Sequence, residues 1–330
     1  MKKIVHSLLC ALTLSALVFA QNGSNPSPAQ TKLAGLNAEV VKLYQAGKLS
    51  EALTLAEKLR QRSETLLGAN DPQTILAWLN VGEIQLGLKK FKEAGVSFRQ
   101  ALKLQELKSG PETALVSTLT RLAFAVYNDG KNDEAEKILT RALAICEKNS
   151  PANDAQTAEV VELMGQFYAF TNRLDKAATL YRRAYEIKAN QTPPYKDMFL
   201  LQLRYDCALI KLKRQSERAE LQQKVGQLRA KSGSSVTLVE NVGILNGKAL
   251  EVARPEYPLE AKRAKASGTV SVQMYIDEQG EIVHVCAISG HELLQQTAEN
   301  AAYRSRFPPT RLNGKAVKVT GILNYNFVPQ

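Results

Sequence analysis

The chain is poor in the residues that most often carry chemistry. Its 330 residues include three His, four Cys and one Trp, and aromatic residues make up only 6%. His6 lies in the first ten residues, which leaves His284 and His291 as the imidazoles of the body of the chain. No serine sits in a nucleophile-elbow context, no glycine-rich loop is placed to cradle phosphate, and no paired carboxylates stand in a recognisable setting. These absences argue against an enzyme, and neither a cofactor nor a metal is expected. His284 and Cys286 do alternate on one face of a predicted strand with His291 just beyond, but spacing supplies no fourth zinc ligand. Parity puts that pair on an outward face, where polar residues are ordinary. Without Cys10 the chain holds Cys146, Cys207 and Cys286, an odd number from which no disulfide framework follows.

Long apolar runs are confined to the beginning. "MKKIVHSLLCALTLSALVFAQ" has a basic start (Lys2, Lys3), an apolar stretch from Ile4 to Phe19, and small residues at Val18 and Ala20 before Gln21. That is the layout of a secretory signal. Residues 1–20 are expected to be a cleaved signal peptide and 21–30 a disordered N-terminus, which would send the protein to the periplasm. The alternative is an inner-membrane anchor through residues 4–20, a length short of the roughly 20 residues that span a bilayer. The formal charge is +11, and without Lys2 and Lys3 it is 41 basic against 32 acidic residues, or +9. Outside the cytoplasm nucleic acid is not an expected partner. Anionic headgroups or wall polymers suit such a surface, and so does plain solubility.

What the sequence has is a repeat. Ala52, Ala94, Ala135 and Ala177 recur in "SEALTLAEKL", "KEAGVSFRQAL", "DEAEKILTRAL" and "DKAATLYRRAY", with spacings of 42, 41 and 42. The next step lands on Ala219 and implies a fifth, more divergent unit. Two helices per unit at this period mean a solenoid, in which each unit buries its apolar face against its neighbours. The second unit, with Trp78, Gly82, Phe91, Ala94, Phe98 and Ala101, resembles the tetratricopeptide repeat (TPR). The fourth repeats the pattern with Gly165, Tyr168, Ala177, Tyr181 and Ala184. The longer period places Asp-Pro and Ser-Pro steps between units, where Asp71 and Asp154 are candidate helix caps. The resemblance implies a concave groove lined by first-helix residues: Glu83 and Leu86, then Phe124, Tyr127 and Asn128, then Gln166, Ala169 and Phe170. Such a groove would bind a peptide through aromatic area and amide hydrogen bonds. The other reading of Phe124 and Phe170 is packing between helices.

After Ser232 to Ser235 the texture changes. "GTVSVQMYI" puts Val270, Val272, Met274 and Ile276 on one face and Thr269, Ser271, Gln273 and Tyr275 on the other, a half-buried strand. "DEQG" is a turn, and Val283, Val285 and Ala287 mark a second strand. "HELLQQTAENAAYRSRF" is an amphipathic helix through Leu294, Ala298, Ala301 and Ser305, and "AVKVTGILNYNFV" is a closing strand. With "RPEYP" and a short helix begun at Pro258 ahead of it, this ββαβ unit resembles the C-terminal domain of the TonB family. The match runs through Pro255, Tyr257, Ala261, Gly268, Asp277, Gly280, Ser289, Gly290, Phe307, Pro309, Tyr325 and Phe327.

The expected architecture is an α+β multidomain chain: an all-α TPR solenoid over residues 31–229 (about five 42-residue units), a linker over 230–240, and a small TonB-like domain over 241–330. The TonB resemblance implies capture of an extended segment, such as one from an outer-membrane receptor, as an added strand. The edge would be Lys318 to Asn326, through the backbone of Lys318, Val319, Thr320, Ile322, Leu323, Asn324 and Tyr325. The alternatives are that this edge pairs with a second copy to make a homodimer, or that the segment around "VGILNGKALEV" covers it. The expected role is a non-catalytic cell-envelope adaptor. The second reading is a TonB-type energy transducer for outer-membrane transport, whose members carry Ser and His on one face of an anchoring helix. Here Ser7 directly follows His6, which does not place them one helical turn apart.

Overall fold

The computed structural model describes residues 27–149, 154–191, 198–232, 240–245 and 247–328. The expected signal peptide, residues 1–20, lies outside them. The chain divides into two compact units between Met164 and Gly165.

The first unit holds α1 (Pro28–Gln45), α2 (Leu49–Leu67), α3 (Pro72–Gly87), α4 (Phe91–Glu106), a 3-10 turn at Glu112–Leu115, α5 (Val116–Asn128), α6 (Asn132–Asn149) and the start of α7 (Ala155–Phe170). Residues 28–30, expected to be disordered, are the first turn of α1. The Ser27 hydroxyl accepts from the Gln30 amide while the Gln30 side chain accepts from the Ser27 amide, a capping box that fixes the helix start. Asp71 Oδ1 accepts from the Gln73 amide at 2.8 Å and Asp154 Oδ2 from the Gln156 amide at 3.2 Å, so both candidate caps are used. Helices pack in sequential pairs, α1 on α2 through α5 on α6, and the pairs stack through α2 on α3 and α4 on α5.

Close crossing within a pair explains the small residues. Ala52, Ala94 and Ala135 are fully buried. A Cβ built on Gly82 would lie 2.7 Å from the Phe98 ring, so glycine on α3 is what lets the phenyl ring of α4 seat inside the pair.

The second unit continues with the rest of α7, then α8 (Leu174–Ala189), α9 (Met198–Lys211) and α10 (Gln215–Ser232). Gly165 and Tyr181 repeat the Gly82–Phe98 arrangement, with a Cβ at Gly165 falling 2.8 Å from the ring. Ala177 is buried like its predecessors, but Ala219 is exposed. Counting from the helix start, the fourth position of α10 is Arg218 rather than alanine, and its guanidinium pairs with Asp206 of α9 at 2.8 Å. The last pair is therefore closed by an ion pair where the others use a methyl group.

The same unit contains β1 (Glu240–Ile244), α11 (Leu259–Arg263), β2 (Gly268–Ile276), β3 (Ile282–Ser289), α12 (Glu292–Ala302), the short hairpin β4 (Arg311–Leu312) and β5 (Lys315–Ala316), and β6 (Val319–Phe327). The sheet order is β1-β6-β2-β3. β2 is central and pairs antiparallel with β6 from Gly268↔Phe327 to Ile276↔Val319. To the expected ββαβ unit the structure adds a strand, β1, parallel to β6. On one face Val270, Val272, Met274, Ile276, Val285 and Ala287 pack against Leu294, Ala298 and Ala301 of α12, as their alternation predicts.

The other face is exposed at Thr269 and Asn326 but covered toward Tyr275. Tyr275 is buried, and its ring meets Phe199 of α9 at 5.5 Å. Cys286 is buried as well, and α9 packs on β3. The expectation that His284 and Cys286 point outward fails because a solenoid helix covers the polar side of the hairpin. A half-buried pattern in one strand does not reveal what distant segment will cover it.

Candidate functional site: two candidate surfaces and a covered sheet edge

In the first unit, Glu83 of α3 pairs with the Arg121 guanidinium of α5. Burial pushes the Glu83 carboxyl above the usual carboxylate range, against the pull of Arg121. The same buried patch and the nearby Glu83 charge raise Tyr44 of α1. Tyr44 and Arg121 thus join Glu83 in one cluster of first-helix residues, although no repeat position singled them out. Leu86, Phe124 and Tyr127 are half-buried, and burial raises the Tyr127 hydroxyl. The Asn128 amide donates to the Phe124 carbonyl of its own helix at 2.8 Å. That bond uses one of the two amide N–H donors of Asn128. In the second unit Gln166 is buried and Phe170 is exposed.

The β6 edge is where the structure differs most from the simplest expectation. β1 lies along it, with Glu240↔Val319, Asn241↔Thr320 and Ile244↔Ile322 in register. The Leu245 amide donates to the Ile322 carbonyl at 2.8 Å. The covering segment is the start of "VGILNGKALEV", so the edge from Lys318 to Asn326 is not bare. The side chains of Val319, Thr320, Leu323 and Tyr325 are buried, Ile322 and Asn324 are half-buried, and Lys318 reaches toward Glu278 at 3.9 Å.

β1 can approach because of Gly321. A Cβ there would fall 2.6 Å from Leu245 Cγ and 2.8 Å from the Gly243 carbonyl oxygen. Gly243 has φ +70°, a conformation that suits glycine, and sits within the interrupted register of the pair. The Lys248 ammonium donates to the Val242 carbonyl at 2.9 Å, placing a cation on the outer side of β1.

The opposite edge, β3, is capped by side chains. Glu299 Oε1 accepts from the Ala287 amide at 2.9 Å, and the Tyr303 hydroxyl bonds the backbone of Val285. Lys211 of α9 meets the same Glu299 oxygen at 2.7 Å. Although the Tyr303 residue is 39% exposed, its hydroxyl is enclosed, and burial pushes it up to about 12. Side-chain caps of this kind blunt an edge against further pairing.

Beside them, Cys207 of α9 and Cys286 of β3 form a disulfide. The odd cysteine count concealed this pair; among the described residues Cys146 is the free thiol, buried and raised by burial. Glu299 lies within 4.8 Å of both sulfurs, but sulfurs bonded to each other offer no thiolates to a metal. His284 is drawn elsewhere: one ring nitrogen bonds the Leu203 backbone, and Nε2 is buried without a hydrogen-bond partner among the described residues. His291 caps α12, its Nδ1 accepting from the Leu293 amide at 3.3 Å. The triplet His284, Cys286 and His291 thus serves three separate ends.

Comparison with known proteins fits these two kinds of module. Residues 253–329 match the family model of the Gram-negative bacterial TonB protein C-terminal. Residues 43–73, 75–106 and 114–190 match tetratricopeptide repeat models. A clustered mitochondria protein homolog of Aspergillus fumigatus is 27% identical over 170 residues, which is 48% of this chain and 13% of that protein. The chain thus spans about an eighth of the length of the curated relatives it matches. Among solved structures, the kinesin light chain TPR-like repeats of Podosopora anserina align with TM-score 0.52 and 18% identity, covering 62% of this chain and 98% of that one. BtubC (BKLC) from P. vanneervenii aligns with TM-score 0.52 and 15% identity, covering 63% of this chain and 94% of that one. These likenesses are of fold.

Proposed function

We propose, from tetratricopeptide repeats joined to a TonB C-terminal domain, that this protein is a non-catalytic adaptor of the cell envelope. The repeats hold one partner, and the TonB-like domain takes an extended strand of another. Both kinds of module belong to binding families, which carries the coarse reading of a protein-interaction adaptor. The observation that favours strand capture is the edge of β6. It is long and backed by β2 at nine positions, yet among the described residues it is paired on its other side only by a five-residue strand with an interrupted register. A partner strand would enter by displacing β1 and would use the same backbone groups.

The envelope location rests on the leader-like N-terminus and on the buried Cys207–Cys286 disulfide, a bond that persists in oxidising compartments. N-terminal sequencing of the mature protein tests it, with Gln21 expected as the first residue. Retention of Met1 to Ala20 would favour the anchored alternative instead. Affinity capture from envelope fractions tests the division of labour. The full chain is expected to hold partners that a chain ending at residue 240, with Cys207→Ser so that no disulfide partner is left unpaired, loses. Equal partner sets for both would defeat the strand-capture half of the proposal.

A further inference from the structure

We propose that β1 is a stand-in for the partner, and that the β6 edge selects a parallel segment of pattern aliphatic-glycine-any-aliphatic. The inference rests on the strand-capture reading and adds what kind of strand is captured. The pattern is that of Val242-Gly243-Ile244-Leu245. Val242 packs against the core of the sheet, Leu245 is almost wholly buried in it, and Ile244 between them is 62% exposed. In a regular strand residues three apart point to opposite faces. Here both aliphatic side chains face inward because Gly243, at φ +70°, breaks the alternation.

The edge imposes this pattern through Gly321. With no Cβ of its own, Gly321 leaves a notch filled by the Gly243 carbonyl and the Leu245 side chain. A segment with another residue at the second position follows the same bulge only under strain, greatest for a β-branched side chain such as valine. One without an aliphatic residue at the fourth leaves the notch empty. The third position points to water and is unconstrained. Capture is then an exchange. A tethered β1 competes with an effective concentration of about millimolar, so the free edge is guarded until a matching segment is presented.

The test uses the full chain and fluorescein-labelled peptides. One peptide has the sequence of residues 240–246, and a second has valine in place of its glycine. Leu245→Asp releases β1 by putting a charge in the core. Gly243→Val releases it by forbidding the bulge and leaves the core unchanged, so it carries the test if the first variant does not fold. The expected result is at least tenfold tighter binding of the first peptide to the released variants than to wild type. Binding is expected to be lost with the valine peptide, and lost again when Gly321→Ala is added. If both peptides bind a released variant equally, the pattern is wrong while strand capture stands. If amide exchange shows Val319 to Ile322 newly exposed in that variant and neither peptide binds, this inference and strand capture at this edge fail together.

Discussion

At the scale of single residues, His284 shows how a covering helix changes chemistry. Burial, with the nearby Arg204 and Lys211 charges, pulls its pKa from 6.5 to about 3. The neutral ring is the folded form, so the unfolded chain binds one more proton between those values. Stability is expected to be fully present above pH 6.5 and to fall as pH drops toward 3. Thermal melts from pH 7 to pH 4 should show a steeper loss in wild type than in His284→Leu. Identical slopes would mean that the ring is not enclosed as described. What sequence reveals at this scale depends on whether neighbours in the chain decide a residue's surroundings. Ala52, Ala94, Ala135 and Ala177 were legible because each crossing repeats within about 42 residues. Ala219 was misread because the fifth pair shifts by one residue and closes with Arg218 and Asp206. His284 and Cys286 were misread because their surroundings come from α9, some 80 residues away in the chain.

Among elements, α9 links the helical repeats to the sheet within the second unit. It contributes Phe199 against Tyr275, Lys211 to Glu299, and Cys207 to Cys286. The disulfide closes a long loop, with a sequence separation of 79 residues. Loss of a native disulfide in a small domain typically costs about 2–5 kcal/mol. Cys207→Ser together with Cys286→Ser should therefore lower the unfolding midpoint by a clearly measurable margin, and dithiothreitol should lower wild type toward the double variant. A midpoint insensitive to both would show that the ion pair and ring contacts suffice. The α and β elements themselves were legible from periodicity, including the half-buried face of β2. β1 was legible only as a possible cover of the β6 edge, because "ENVGIL" is short, lacks clean alternation and becomes a strand only through the edge it finds.

For the molecule as a whole, the compact second unit begins at Gly165, well before the TonB match at residue 253. A fragment of residues 241–330 would uncover the face of the sheet that α9 buries, including Tyr275 and an unpaired Cys286. It is expected to aggregate or form mixed disulfides on size-exclusion chromatography. A fragment of residues 174–330 retains α9 and should elute as a discrete species. A soluble, monodisperse 241–330 fragment would show that the sheet needs no cover. The fold class was legible because repeats and strand alternation are local signals. The cross-link was hidden because it joins parts far apart in the chain, and the covered edge was legible only as one of several alternatives for β6.

The Cys207–Cys286 bond also gives the protein a shorter mechanical route than its backbone. From β6 a covalent route runs along the chain through α12 to β3, and from Cys286 directly into α9. Residues 208–285 lie outside that path. β1 lies in that bypassed stretch, so the strand that covers the edge and the covalent path that would bear a load on it are separate parts.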